Sequence, residues 1–411
     1  MNYLRLFATG IFFLAASSAI TAQEIVKDPL MKLTGHTGDV EAVVYAPNGK
    51  FIASGGWDNT IKIWNTDGTL SHTFKAHDAA VRCLSYSRDG KFIISGSSDN
   101  SVKIWDSAWN AKYSLYGHQN TVRTVMVDPK MRFAYSGSED GIVKMWDLVK
   151  RGESRNLQKF TKPVNSLAMS LTGTDIFVGT QGPDIYKLNV RGEIKATFKG
   201  HTDEINSLAF ALNNKYLVSG SSDKTAIIWN VQTGKQEKVL TGHEWKVVAV
   251  AFSLDSRFVV TGSTDGTVKL WEVATGNLLY TFEGGYATVL SVAMSPDLTR
   301  IITSGKFEKT AAGESPYAIY MWESHQETEA ARLLRLKKHA QDSIKQLKEI
   351  QKLKQDSIKR YNDSMKRVND SLKKLPKQAP KKDEQPKKPE PAPGNNKTGT
   401  NNKNIAPNRR D

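Results

Sequence analysis

Tryptophan recurs along this chain at a fixed step. Trp64, Trp105, Trp146, Trp229, Trp271 and Trp322 are separated by 41, 41, 83, 42 and 51 residues. The 83 is two steps with one member missing, and Leu188-Asn189 stands where that tryptophan is due. The last interval is one step plus an insertion. A second series, His36, His77, His118, His201 and His243, has intervals of 41, 41, 83 and 42. Two residue types sharing one period mark a repeated structural unit, and a period of this length belongs to solenoids, propellers and arrays.

Each unit reads as strands. In the second, Val81–Tyr86 is followed by a turn at Arg88-Asp89-Gly90, then by Phe92–Ser95. A turn at Ser98-Asp99-Asn100 leads into Val102–Trp105, and a last strand, Lys112–Leu115, runs to Gly117-His118. Four short runs with turn residues between them and no helical period predict a small antiparallel sheet. One such sheet cannot bury its own faces, but seven stacked around an axis can. The predicted fold class is all-β: a seven-bladed β-propeller followed by a C-terminal α-helix and a disordered tail.

The pairs Gly35-His36, Gly117-His118, Gly200-His201 and Gly242-His243, with Ala76-His77 as a variant, open the units. Trp64-Asn65, Trp105-Asp106, Trp146-Asp147, Trp229-Asn230, Trp271-Glu272 and Trp322-Glu323 end them. Over residues 25–323 this pattern resembles the WD40 β-propeller family. The fourth unit departs, lacking both His and Trp, with Pro163 just before its inner strand. The seventh has Gly285 in place of His. Both blades are expected to be held mainly by packing against their neighbours. After Trp322 the pattern turns helical, so the seventh unit lacks an outer strand, while Leu30–Leu33 precedes the first blade unclaimed. The N-terminal segment is therefore expected to close the ring, which protects the strand edges.

Five units carry a serine or threonine, a histidine and an aspartate together. The sets are His36, Ser54, Asp58, Trp64; His77, Ser95, Asp99, Trp105; His118, Ser136, Asp140, Trp146; His201, Ser219, Asp223, Trp229; and His243, Thr261, Asp265, Trp271. The resemblance implies a buried network running from Trp to hydroxyl to His to Asp. Buried together, these groups must satisfy one another. An enzyme needs one triad in one cleft, whereas five copies around a ring point to structure. No nucleophile elbow, His-Glu-x-x-His or phosphate loop occurs, so no catalytic residue, cofactor or metal ligand is assigned.

Function is left to the rim and the channel mouth. In WD40 relatives the loops on the face carrying the His residues and Asp turns commonly bind partners. By matching position the candidates are Glu41, Arg82, Arg123 and Asn206 in the inner strands, with Trp57, Trp245 and Tyr286 in turns on that face. Aromatics near arginine are the composition of an interface hot spot. An insertion between Lys306 and Tyr317 is expected to overhang this surface.

The ends carry an address and a charge. Residues 1–22 have the order of a secretory signal, with Met1–Arg5, an apolar run Leu6–Ala16 and small residues to Ala22, so cleavage is expected to leave Gln23 first. The apolar run is shorter than the roughly 20 residues of a spanning helix, so no transmembrane span is expected after cleavage. The chain is read as exported, periplasmic or secreted, with its lone Cys83 buried and inert. Of 57 Lys and Arg, 23 fall in residues 331–411 against 9 of the 42 Asp and Glu, which leaves the body near neutral. Residues 326–375 read as a helix in which Asp-Ser recurs at 342, 356, 363 and 370. Ile344, Leu347, Ile358, Tyr361, Met365, Val368, Leu372 and Leu375 form its apolar series. A short coiled coil, a helix docked on a partner and a basic amphipathic helix on an anionic surface all remain open. Residues 376–411, rich in Lys, Pro and Asn, read as disordered.

These features together suggest a non-enzymatic scaffold of the cell envelope that binds protein partners on its upper face. Its tail docks, self-associates or meets an anionic envelope surface; nucleic acid is not expected. The alternative is an exported propeller enzyme of lactonase or quinone type, which needs carboxylates converging on the channel.

Overall fold

A computed structural model describes residues 24–150, 153–307, 317–324, 351–360, 362–367 and 370. The signal, the insertion of the last blade and residues 376–411 lie outside the described residues. The chain divides into residues 1–334 and 335–411.

Strands β1 (Glu24–Val26) and β2 (Met31–Leu33) precede the first blade. Blade 1 is β3 (Val40–Tyr45), β4 (Phe51–Gly56), β5 (Thr60–Asn65) and β6 (Leu70–Lys75), each hydrogen-bonded to the next in antiparallel order. The same four-strand meander recurs to give seven sheets. The inner strand of each blade touches that of the next, and Tyr286–Met294 of blade 7 touches β3, so the ring is closed.

Closure follows the expected route. The last blade supplies three strands, Tyr286–Met294, Arg300–Phe307 and Ile319–Glu323, and β2 adds the fourth, pairing Met31 with Met321 and Leu33 with Ile319. Leu33 is buried with Val40, Ile52 and Trp64 of blade 1, so one side chain joins the first and last blades. One feature has no counterpart in the sequence expectation. β1 lies parallel to Leu278–Glu283 as a fifth strand of blade 6, with Ile25 beside Thr281.

The blades meet through a missing side chain. Gly55, Gly96, Gly137, Gly179, Gly220 and Gly262 take one position in the second strand of six successive blades. A Cβ at each would fall 2.4–2.7 Å from a methyl of Val81, Val122, Val164, Ile205, Val247 or Val289 in the following blade. No real contact is that short, so the absent Cβ sets how closely the sheets stack. Around each seam the aliphatic residues are fully buried.

Within residues 335–411, residues 351–360 and 362–367 are helical, and Ile358 and Met365 of the expected apolar series are exposed. The rest of the heptad region lies outside the described residues. No described helix is long and apolar enough to cross a membrane.

Candidate functional site: the upper channel mouth

In five blades the turn that delivers the inner strand is held by the predicted network. His36 Nδ1 lies 2.7 Å from Asp58 Oδ2, and its Nε2 lies 2.7 Å from Ser54 Oγ. The Trp64 indole donates to that hydroxyl at 2.8 Å. A carboxylate only accepts, so Nδ1 carries the imidazole proton, Nε2 accepts from the serine, and the serine oxygen accepts from the indole. The other four sets repeat this. His77, His118, His201 and His243 stand 2.7–3.0 Å from Asp99, Asp140, Asp223 and Asp265. Their Nε2 atoms lie 2.7 Å from Ser95, Ser136, Ser219 and Thr261. Trp105, Trp146, Trp229 and Trp271 donate to the same hydroxyls at 2.8–2.9 Å.

Each aspartate also closes a turn. Asp58 accepts from Thr37 N and from Thr60 N and Oγ1. Burial alone would push this carboxyl up, but the hydrogen bonds and the His36 ring outweigh it and hold it well below the usual range. Asp99, Asp140, Asp223 and Asp265 are depressed in the same way. Every hydroxyl in these sets is fully buried and already accepts an indole N–H. No substrate reaches it, so the sets hold the turns rather than act as nucleophiles.

The two divergent blades solve the problem differently. In blade 4, Val178 and Leu188 replace hydroxyl and indole in an apolar cluster, and the Phe160 ring packs tilted against Tyr186 with centroids 5.0 Å apart. Apolar packing takes the place of the network here, with polar links to the neighbouring blades through Asn165 Nδ2 to Ile205 O and Leu167 N to Thr124 Oγ1. Blade 7 departs from expectation. Trp322 donates to Thr303 Oγ1 at 2.9 Å, and the Tyr286 hydroxyl lies 2.9 Å from the same oxygen. Tyr286 is therefore not a solvent-facing contact residue. It is buried, its hydroxyl reaches Thr303 O at 2.8 Å and accepts from Tyr320 N, and burial pushes its phenol up. With no imidazole available, the phenol supplies the polar group that Thr303 needs. The clue was Thr303 itself, 42 residues after Thr261.

These turns present one residue of each inner strand to the channel, the second in blades 1–6 and the fifth, Leu290, in the longer strand of blade 7. Glu41, Arg82, Arg123, Asn165, Asn206, Val248 and Leu290 ring a cavity of about 350 Å³. The ring grades from charged in blades 1–3, through amides in blades 4 and 5, to aliphatic in blades 6 and 7. Sequence reasoning named four of the seven; the others follow from adding the period once more.

One corner of this mouth is prearranged. Trp57 Nε1 donates to Glu41 Oε1 at 2.6 Å, and Arg82 Nη1 donates to the same oxygen at 2.7 Å. The Arg82 guanidinium lies over the Trp57 ring, 5.4 Å from its centroid. Trp57 is still 53% exposed, so the ring is fixed at one edge and free on the other. Trp245 is 63% exposed in the turn between His243 and the inner strand of blade 6. Arg123 pairs with Glu139 at 2.5 Å, and Asn206 Nδ2 donates to Ser222 Oγ and Val247 O. The mouth carboxylates are engaged by cations: Glu41 by Arg82, and Glu204 by Lys246 at 3.9 Å. Among the described residues no three His, Cys, Asp or Glu side chains stand together as metal ligands. Cys83 Sγ lies 3.7 Å from the Val122 carbonyl, and burial pushes its thiol up to about 12.

Ring, repeat and network together define a WD-repeat propeller. Residues 65–312 match a family model described as the first β-propeller of IFT122, and residues 27–65 match the WD domain, G-beta repeat. The chain belongs to the WD-repeat β-propeller family. It is 32% identical over 78 residues to THO complex subunit 6 of Arabidopsis thaliana, covering 19% of this chain and 21% of that protein. It is 28% identical over 209 residues to a periodic tryptophan protein 2 homolog of Dictyostelium discoideum, covering 49% of this chain and 18% of that protein. It is 49% identical over 37 residues to ribosome assembly protein 4 of Chaetomium thermophilum, covering 9% and 7%. The chain thus spans about a fifth or less of each relative.

Proposed function

We propose that this protein is an exported, non-enzymatic scaffold that grips a protein partner on the upper face of its propeller. The observation that carries the reading is the corner formed by Trp57, Glu41 and Arg82. A large aromatic is held in one orientation by a hydrogen bond and a stacked guanidinium, with its free face toward solvent. Prearrangement lowers the ordering cost of binding. Trp and Arg at the centre of a concave mouth are the residues that dominate interface energies. The relatives named as a complex subunit and an assembly protein fit a scaffold role.

Export rests on the order of the first 22 residues. Cleavage after Ala22 leaves Gln23 immediately before β1. The compartment is the periplasm or the exterior, and sequencing of the mature N-terminus checks it: Gln23 supports the reading, and Met1 refutes it. The basic helical tail is assigned to docking or self-association. In-cell crosslinking followed by pull-down, comparing the full chain with one ended at Ser324, tests both parts. The propeller alone should retain a crosslinked protein partner, and the full chain should add tail-dependent species. Identical patterns would remove the tail from the account, and no partner on either form would remove the scaffold.

A further inference from the structure

The two mouths of the channel differ in chemistry. The upper ring is polar over most of its circumference. The lower mouth, where the inner strands end, is a bowl of about 770 Å³. That lies within the roughly 300–1,000 Å³ of small-molecule sites. The repeat places one side chain per blade at each depth. Met169, Phe210, Phe252 and Met294 line the strand ends of blades 4 to 7, and two residues further on Leu212 and Leu254 form the rim. These leucines are 39% and 51% exposed, although nothing in the turn chemistry requires an apolar residue there. Contiguous exposed apolar surface on a soluble body usually marks a binding site.

One position breaks the pattern. Blade 2 carries Arg88 where blades 5 and 6 carry Leu212 and Leu254, and among the described residues Arg88 is the charged one on the wall. In a ring of seven, blade 2 stands across from blades 5 and 6. Among the described residues the Arg88 guanidinium has no carboxylate within ion-pair distance, unlike Arg82 and Arg123 at the other mouth. Among the described residues, then, the bowl offers an apolar wall and, opposite it, a planar cation with no ion-pair partner.

We propose that the lower bowl binds an amphiphile made of an acyl chain with a single carboxylate. The chain lies against Phe210, Phe252, Leu212 and Leu254, and the carboxylate meets Arg88. A guanidinium pairs with a carboxylate in bidentate fashion, and its weak hydration suits a partly apolar surround. This site lies on the face opposite the proposed protein-binding mouth and does not depend on that reading.

Calorimetric titration of the full-length protein with sodium decanoate below its micelle concentration tests the proposal, with 1-decanol as the uncharged counterpart. Expected are one saturable decanoate site per chain, weakening of at least about tenfold in Leu254→Glu, and weakening of about tenfold in Arg88→Gln. Decanol binding should be unchanged by Arg88→Gln. Both substitutions lie on exposed turns, so an unchanged melting temperature verifies the fold. Absence of saturable binding, or binding indifferent to Leu254→Glu, overturns the site. Equal loss of decanol and decanoate in Arg88→Gln, or no loss of either, overturns the carboxylate assignment. Failure of both ligands alongside uptake of an apolar peptide would make the occupant a protein.

Discussion

The Tyr286 hydroxyl stands 2.9 Å from Thr303 Oγ1 and occupies in the last blade the place that an imidazole fills in five others. Thr303 Oγ1 also accepts the indole N–H of Trp322. Removing the phenol oxygen takes one partner from this buried hydroxyl. Tyr286→Phe should therefore lower the unfolding free energy by about 1–3 kcal/mol, measured by denaturant titration. A change within error would mean that the tyrosine only fills space.

The glycine seams make a second expectation. A methyl at position 137 would lie 2.4 Å from Val164 Cγ1 and 2.8 Å from Thr124 Cγ2. Gly137→Ala should destabilise by about 1–3 kcal/mol through overpacking. Val164→Ala in the same chain should recover part of that loss, because it removes the opposing methyl. Additive losses in the double variant would show that the seam is not the cause.

Closure can be tested through Leu33, which is 1% exposed and packs between the first and last blades. Leu33→Ala should cost about 2–5 kcal/mol. Ile25→Ala in β1 should cost far less, since Ile25 is half exposed. Equal losses on denaturant unfolding would move the closing role to the fifth strand of blade 6.

Stability should fall on acidification in two stages. His118 is held below the ordinary histidine range by burial, so the unfolded chain takes up that proton first as pH falls through about 6.5. The network aspartates are held below their unfolded value by hydrogen bonds that outweigh burial. Their contribution is present above about pH 4 and lost below it. Melting temperature should therefore be level above pH 7, decline gently toward pH 5, and drop steeply below 4. A maximum near pH 4 would contradict the network.

Much of this architecture was legible in the sequence because Trp, His and Asp each sit where a buried polar group needs one partner type. The period survives wherever the network survives. It fades in blade 4, where Val178, Leu188 and Phe160 need only apolar neighbours and many residues suffice. In blade 7 the insertion puts Trp322 nineteen residues after Thr303 instead of ten, which hid the hydroxyl and left Tyr286 misread as a surface aromatic. β1 was invisible because three residues joined to an edge by backbone bonds carry no pattern of their own. At the mouth, Glu41, Trp57 and Arg82 were each found by position. Their convergence on one carboxylate oxygen was not, since it joins two blades through side chains 16 and 41 residues apart.

The most direct measurement is partner capture from intact cells by the Trp57→Ala and Trp245→Ala variants, with melting temperature recorded alongside. Trp245 is largely exposed, so its removal should change stability by no more than about 0.5 kcal/mol, while Trp57→Ala gives up the bond to Glu41 and should cost about 0.5–1.5 kcal/mol. If the upper mouth is the gripping surface, capture falls about tenfold or more for Trp57→Ala, the loss expected of a hot-spot aromatic, and falls further in the double variant. Undiminished capture, with or without a lower melting temperature, would contradict it.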